Sequence, residues 1–473
     1  MLEAARVSSV VAACLSPGEE AWLVGGAVRD GLARRPSRDL DYAVHGDAAR
    51  LARRIADVLG GSYFTYSEEF SAHRIVLPNG VVDVAPLRGA SLEDDLLARD
   101  FTVDAMALKV RAGDPGGRVG FGVPNDPLGG MADLAAGRLR DCSETALVAD
   151  PARVIRLARL SAALELEPVD GLMRRACEAA AGLTEVSGER VAGELTALLG
   201  LKTAGRAVRV LDRTGGLDVV LPEMTALKGC VQNPYHHCDV FEHTLEALDH
   251  LPQLVEQFGG ERFLAPPSEC GLPGAPALAP LAWAVLLHDI GKPAVRRVDD
   301  EGRIMFWHHD EVGVTMADAI VRRLGMSRRF SHYLGVLILN HLRLGFLVRE
   351  SPLSRRALVR YRRAVEPFVY ESVVLSLADR LATRGERTTA RSMARHYRLA
   401  RKVWLEIPKE TLPLPLGGRD VMELLGEDEG PRIGAALAAL REEVDAGEVR
   451  DSEQARAFVQ AWAQAAPEAR TGA

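Results

Sequence analysis

Between Ala21 and about Ala107 short apolar runs alternate with turns. Ala21–Val24 is apolar and stops at Gly25-Gly26. Leu40–Val44 alternates apolar and polar positions, and Arg74–Leu77 and Val81–Val84 flank Asn79-Gly80 as the strands of a hairpin do. Asp47–Leu59 instead repeats its apolar residues at helical spacing. This pattern predicts a small α/β domain with a mixed sheet. From about Asp150 the helical period takes over, in VIRLARLSAAL, RVAGELTALLG and RAVRVLDRTGGL. Gly259–Pro280 is rich in Pro and Gly and predicts a loop or insertion. A second helical block follows from about Leu281 to Leu405, and the tail after Pro413 carries the helical run RIGAALAALREEV. The expected fold class is therefore α+β and multidomain, an α/β head followed by all-α regions.

Composition narrows the picture. A chain of 473 residues fits roughly three domains. Hydrophobic residues at 47% and charged residues at 26% are globular values. Acids outnumber bases, 65 to 58, so a nucleic-acid surface would be a local patch on an acidic body. Six cysteines form no CxxC pair, which predicts a reduced, cytoplasmic protein without a zinc knuckle. The N-terminus lacks a signal-peptide core, and no stretch predicts a membrane span.

Two constellations carry chemistry. In LVGGAVRD, Gly25 and Gly26 let the backbone approach a ligand ahead of a helix start that includes Arg29. In RDLDYAV, Asp39 and Asp41 are two apart on a strand and so share a face. Adjacent carboxylates repel unless a cation separates them, and Mg²⁺ bound to triphosphate oxygens is the usual partner. A solvated strand face is the plain alternative, weakened by the glycine turn alongside. Asp83 is a possible third carboxylate. In LARDFTVDAMA, Arg99 and Asp100 suit phosphate and ribose hydroxyls. In DPARVIRLARL, Arg153, Arg156 and Arg159 recur every three residues along one side of a helix. The second constellation lies in the helical block. His243, His288-Asp289 at the end of an apolar helix, His309, His341 and Asp379 run in the order H…HD…H…H…D. Buried His and Asp need partners, and a divalent metal satisfies both.

With NDPLGGMADL and ERVAGELTALL, the motifs of the first 200 residues resemble, in order, bacterial class II tRNA nucleotidyltransferases, the CCA-adding enzymes and their poly(A) polymerase relatives. The tail PLGGRDVMELLGEDEGPRIGAALAALREEV is similar to that family's C-terminal segment. The resemblance implies Mg²⁺ on Asp39 and Asp41, a triphosphate turn at Gly25, Gly26 and Arg29, and at Arg99 and Asp100 the motif whose acid reads the ribose 2′-hydroxyl. It further implies base reading by Asp150 and Arg153, with Arg156 and Arg159 as further nucleotide contacts. Substrates would be CTP, ATP and the tRNA 3′ end, with no protein partner indicated. Residues 236–385 resemble HD-domain phosphohydrolases. His243, His288, Asp289 and Asp379 match the core ligands of that superfamily. His309 and His341 match the extra ligands of two-metal members, and Lys292 the lysine of HDIGK. The implied metal is Ni, Co or Mn. The corresponding domains are a head at 1–140, a helical neck at 141–225, an HD domain at 226–405 and a tail at 406–473.

The chain departs from the family at three points. Ala98 stands where the family has a first arginine. Ala149 stands where it has an acid, which removes an expected brace on Arg153. Only Arg88-Gly89-Ala90-Ser91 separates VDVAPL from LEDDLL, where the family has a longer flexible loop that switches the pocket from C to A. Relatives that add only CC lack that loop. CC addition, full CCA addition and poly(A) addition all stay open, as does an HD phosphohydrolase with a drifted RNA-binding head.

Overall fold

A computed structural model describes residues 4–464, apart from 34, 36, 38, 69–70, 112–122, 264–265, 349–352 and 407–412. It falls into two compact units, residues 1–198 with 206–220, and residues 199–205 with 221–473.

The first unit is built on six strands: β1 (Glu20–Val24), β2 (Asp39–His45), β3 (Ser62–Ser67), β4 (Ala72–Leu77), β5 (Gly80–Pro86) and β6 (Ala107–Lys109). Their order is β3-β4-β5-β2-β1-β6, with β2 and β5 parallel and the other pairs antiparallel. The mixed sheet expected from the pattern is thus present, with the β4–β5 hairpin turning at Pro78-Asn79 and Gly80 paired with Leu77. Alternation sorts the two faces. Leu40, Tyr42 and Val44 of β2, with Val82 and Val84 of β5, pack on helices Ala4–Cys14 and Ala48–Leu59. The Ala48–Leu59 helix begins where the Asp47 side chain accepts from the Arg50 N–H at 2.9 Å and ends at Gly60 in the left-handed region. The opposite face carries Asp39, Asp41 and Asp83, with Asp41 and Asp83 in direct register. Helices Arg153–Leu164, Asp170–Ala179 and Gly188–Leu199 follow. A two-residue parallel pair, Arg138–Leu139 with Glu167–Pro168, went unforeseen, since two residues show no periodicity.

Among the described residues the second unit's regular structure is helical apart from one two-residue strand pair, Arg297–Val298 with Ile304–Met305. At its centre Ala279–Leu287 has every residue buried. A helix apolar on all sides belongs in a core, and this one delivers His288-Asp289 into the interior. Helices Val240–Gln257, His309–Arg323, Arg328–Asn340 and Val369–Ala382 supply the other ligand positions at or beside their ends. The tail helices Gly418–Leu425, Pro431–Ala446 and Ser452–Gln464 close over a core of their own. Among the described residues no helix is long and apolar enough to cross a membrane.

Candidate active sites

At the end of β1, Gly25 takes φ +72°, a conformation that L side chains avoid. A Cβ here would lie 3.3 Å from Asp41 Oδ2 and 3.4 Å from Arg99 Nη1. The glycine therefore lets the turn, the β2 carboxylate and the arginine meet. Burial, then the neighbouring Asp83, pushes the Asp41 carboxyl up to about 6, while Arg99 and Arg156 pull the other way. A carboxylate held so reluctantly without a counter-ion suits a cation. Asp83 itself is clamped by Arg74 in two bonds of 2.8 and 2.7 Å. Arg29 turns to Asp30 and Asp104, so its guanidinium holds the chain around the turn together.

Beside these groups opens a cavity of about 1080 Å³ whose lining includes Arg88, Arg99, Asp100, Asp150, Arg153, Arg156 and Arg190. Arg99 is held by Asp95 at 2.9 Å, and Arg156 by Asp100 at 2.8 Å. Burial alone would raise the Asp100 carboxyl, but Arg156, the Phe101 N–H and Arg153 hold it below the usual range. The missing acid at 149 does not leave Arg153 loose, contrary to the sequence expectation. Its Nη1 and Nη2 donate to the carbonyls of Ala98, Arg99 and Ala146 at 3.0–3.3 Å. Asp150 gives one oxygen to Arg190 at 2.6 Å. Its other oxygen, Oδ1, is buried with no hydrogen-bond partner among the described residues. Arg159 does not join the cavity and pairs with Glu194 at 3.2 Å. Sequence reasoning missed Arg190. It lies inside the ERVAGEL motif, but its pairing spans 40 residues.

The short connection between β5 and helix Leu92–Leu97 is pinned. Ala90 N–H and Ser91 N–H donate to Asp94 Oδ2 at 3.2 and 3.0 Å, and Arg88 N–H donates to Asp95 Oδ1 at 3.1 Å. Ser91 caps the helix in a reciprocal capping box with Asp94. The Arg88 guanidinium, by contrast, has no ion-pair partner among the described residues and lines the cavity.

In the second unit Asp289 lies between two sets of imidazoles. Its Oδ2 is 3.1 Å from His288 Nε2 and 3.6 Å from His243 Nε2, and its Oδ1 is 3.4 Å from His309 Nε2 and 3.7 Å from His341 Nε2. Asp379 Oδ1 stands 3.1 Å from His243 Nε2. Each histidine turns Nδ1 to a backbone carbonyl: His243 to Ala382, His288 to Val285, His309 to Phe306 and His341 to Ile338. That fixes all four rings with Nε2 inward, the arrangement by which outer hydrogen bonds orient metal ligands. His288 Nε2 and Asp289 Oδ1 are buried and unsatisfied. Two ligand groups, His243-His288-Asp289 and Asp289-His309-His341, share Asp289, and both would suit a divalent ion. His308, the neighbour of His309 in sequence, is exposed and faces Glu311. Lys292 bonds Asp289 Oδ2 at 2.6 Å and Gln232 at 2.8 Å.

Fold and sites together define a nucleotidyltransferase joined to an HD domain. The Poly A polymerase head domain matches residues 21–140, the probable RNA and SrmB-binding site of polymerase A matches 172–228, and the HD domain matches 240–384. An A-adding tRNA nucleotidyltransferase from Deinococcus radiodurans is 38% identical, over 94% of this chain and 96% of its own. A CC-adding tRNA nucleotidyltransferase from Thermus thermophilus is 36% identical, over 94% of each. A CCA-adding enzyme solved with CTP shares the fold at TM-score 0.62 and 19% identity, over 97% of this chain and 99% of that one. The chain belongs to the tRNA nucleotidyltransferase family. Nucleotidyltransferase and HD domains generally use divalent metals such as Mg²⁺.

Proposed function

We propose that this enzyme extends the tRNA 3′ end with cytidines from CTP and stops before adenosine. The observation that carries the reading is the pinned four-residue connection. A pocket that accepts C and then A must change its hydrogen-bond pattern without changing its side chains. Here the segment that would act as the lever is tied to Asp94 and Asp95. The test is tRNA ending just before its CCA, incubated with CTP, ATP and Mg²⁺. Products should grow by two nucleotides, and growth by three at a comparable A rate overturns the reading. An A-only enzyme is the second reading, favoured by the D. radiodurans relative. It requires instead that only tRNA ending in CC be extended, with ATP.

Asp39 and Asp41 would hold Mg²⁺, which when bound activates the 3′-hydroxyl and neutralises pyrophosphate. The chain's own residues do the positioning on which in-line transfer depends. Gly25 and Gly26 bring the backbone to the phosphates, and Arg29 holds that turn. Arg99 and the unpaired Arg88 face the triphosphate, and Asp100, steadied by Arg156, takes a ribose hydroxyl. Arg159 supports the neck through Glu194. Asp150 and Arg153 read the base. The free Asp150 Oδ1 would accept from the exocyclic amino group of cytosine (N4) or adenine (N6), where uracil instead presents the carbonyl oxygen O4. Asp150→Ala should therefore reduce the CTP:UTP ratio of kcat/KM by about 10- to 100-fold, the loss expected for ~1–3 kcal/mol of pairing. A slower enzyme with unchanged selectivity would reduce Asp150 to a positioning role.

In the HD unit His243, His288, Asp289, Asp379, His309 and His341 would hold Ni, Co or Mn, which when bound supplies a hydroxide from water for phosphoester hydrolysis.

A further inference from the structure

The cavity at the HD centre has a mouth unlike its floor. Its volume is about 550 Å³, with Asp289, His309, His341 and Asp379 at the bottom. Three large aromatic side chains that also line it stand open to solvent, Trp307 at 66%, Phe346 at 63% and Tyr235 at 46% exposure. Exposed aromatics are ordinary when scattered singly. Three around one opening are not scattered. Arg395 lines the same cavity from helix Ala390–Glu406.

That helix extends the charge away from the opening. Arg391, Arg395 and Arg398 recur at i, i+4 and i+7 and so share one helix face. All three are exposed, and none has an ion-pair partner among the described residues. On a chain of net charge −7 this is a local basic line, spanning ~10 Å at ~1.5 Å per residue. Open aromatic faces beside a row of free guanidinia form the platform-and-groove chemistry that holds single-stranded nucleic acid: bases stack while cations follow the phosphates. Arg391 and Arg398 lie outside the cavity lining, so a mononucleotide seated within it would leave both with nothing to meet.

We propose that the HD site takes the end of a single-stranded RNA, with terminal bases stacked on Trp307 and Phe346 and the following phosphates along Arg395, Arg391 and Arg398. The proposal rests on the phosphohydrolase reading of that site and names its substrate class, a polynucleotide end.

The test uses the full chain in EDTA and a 5′-fluorescein, unstructured RNA decamer with a 3′-phosphate, followed by anisotropy. The variants are Arg391→Ala with Arg398→Ala, and Trp307→Ala with Phe346→Ala. All four positions are exposed, and unchanged thermal melting verifies the fold. Each double variant should lose at least about tenfold in affinity. The arginine pair should also flatten the dependence of log affinity on log salt by about 1.4, at ~0.7 per phosphate on a single strand. Unchanged affinity in both variants, or no decamer binding by the parent, overturns the proposal. Hydrolysis of bis(p-nitrophenyl) phosphate with Mn²⁺, Co²⁺ or Ni²⁺ is measured separately. Binding that the variants weaken, with no hydrolysis under any metal, rejects the hydrolase reading and keeps RNA docking. Hydrolysis with unaltered decamer affinity does the reverse.

Discussion

Asp41→Asn should abolish nucleotide transfer, by ~10³-fold or more, and at the same time stabilise the metal-free protein above pH 6. The two effects share a cause. Burial and Asp83 raise the Asp41 carboxyl from 3.8 to about 6, so ionising it without a cation works against the fold. At ~1.4 kcal/mol per pH unit the difference corresponds to about 3 kcal/mol. The sign follows from the folded value lying above the unfolded one. The folded state binds the proton more tightly, so the penalty is absent below about pH 4, grows between 4 and 6, and is complete above. Asparagine cannot ionise and escapes it. Urea denaturation in EDTA should therefore place the variant above the parent at pH 8 and level with it at pH 4. Mg²⁺ should stabilise the parent at pH 8 more than the variant. Near-normal transfer by Asp41→Asn removes the carboxylate from the metal site, and equal midpoints at pH 8 remove the strain.

Local pattern foretold what local chemistry determines. Leu40, Tyr42 and Val44 alternate because one face of β2 is buried, and Asn79-Gly80 signals the hairpin one residue late, since Pro78-Asn79 make the turn and Gly80 already pairs with Leu77. The all-apolar helix ending in His288-Asp289 announced a buried polar centre. What stayed hidden depends on partners far along the chain. Arg29 turns to Asp104, 75 residues on, and Arg190 to Asp150, 40 residues back. The support of Arg153 could not be foreseen from side chains, because backbone carbonyls replace the acid missing at 149. His308 and His309 are equal in sequence and separated only by backbone geometry. His308 takes φ +62° as the cap, and His309 opens the helix facing inward.

The same bridging geometry sets the second large expectation. Asp289→Asn should remove both ions of the HD centre and its phosphohydrolase activity, by ~10³-fold or more, while nucleotide addition continues. Each Asp289 oxygen faces a different histidine pair, Oδ2 toward His243 and His288 and Oδ1 toward His309 and His341. One neutral amide thus weakens both positions, whereas His309→Ala should empty one and leave the other. Metal analysis of protein loaded with Mn²⁺, Co²⁺ or Ni²⁺ should give two fewer ions per chain for Asp289→Asn than for the parent and one fewer for His309→Ala, since any ion on Asp39 and Asp41 is common to all three. A His-rich ligand set favours these metals over Mg²⁺, which prefers oxygen. Asparagine is the safer replacement: it loses the charge that Lys292 faces, as alanine would, but its amide oxygen still accepts the Lys292 hydrogen bond and fills the same space. Metal uptake should weaken as pH falls. Burial works against a charged His288, yet Asp289 outweighs it and draws the imidazole pKa up, so in the metal-free site an incoming ion must displace that proton. Nucleotide addition should not follow, since its carboxylates lie in the other compact unit. Two ions retained by Asp289→Asn would exclude the bridge, and parallel loss of both activities in a folded variant would show the two sites to be coupled.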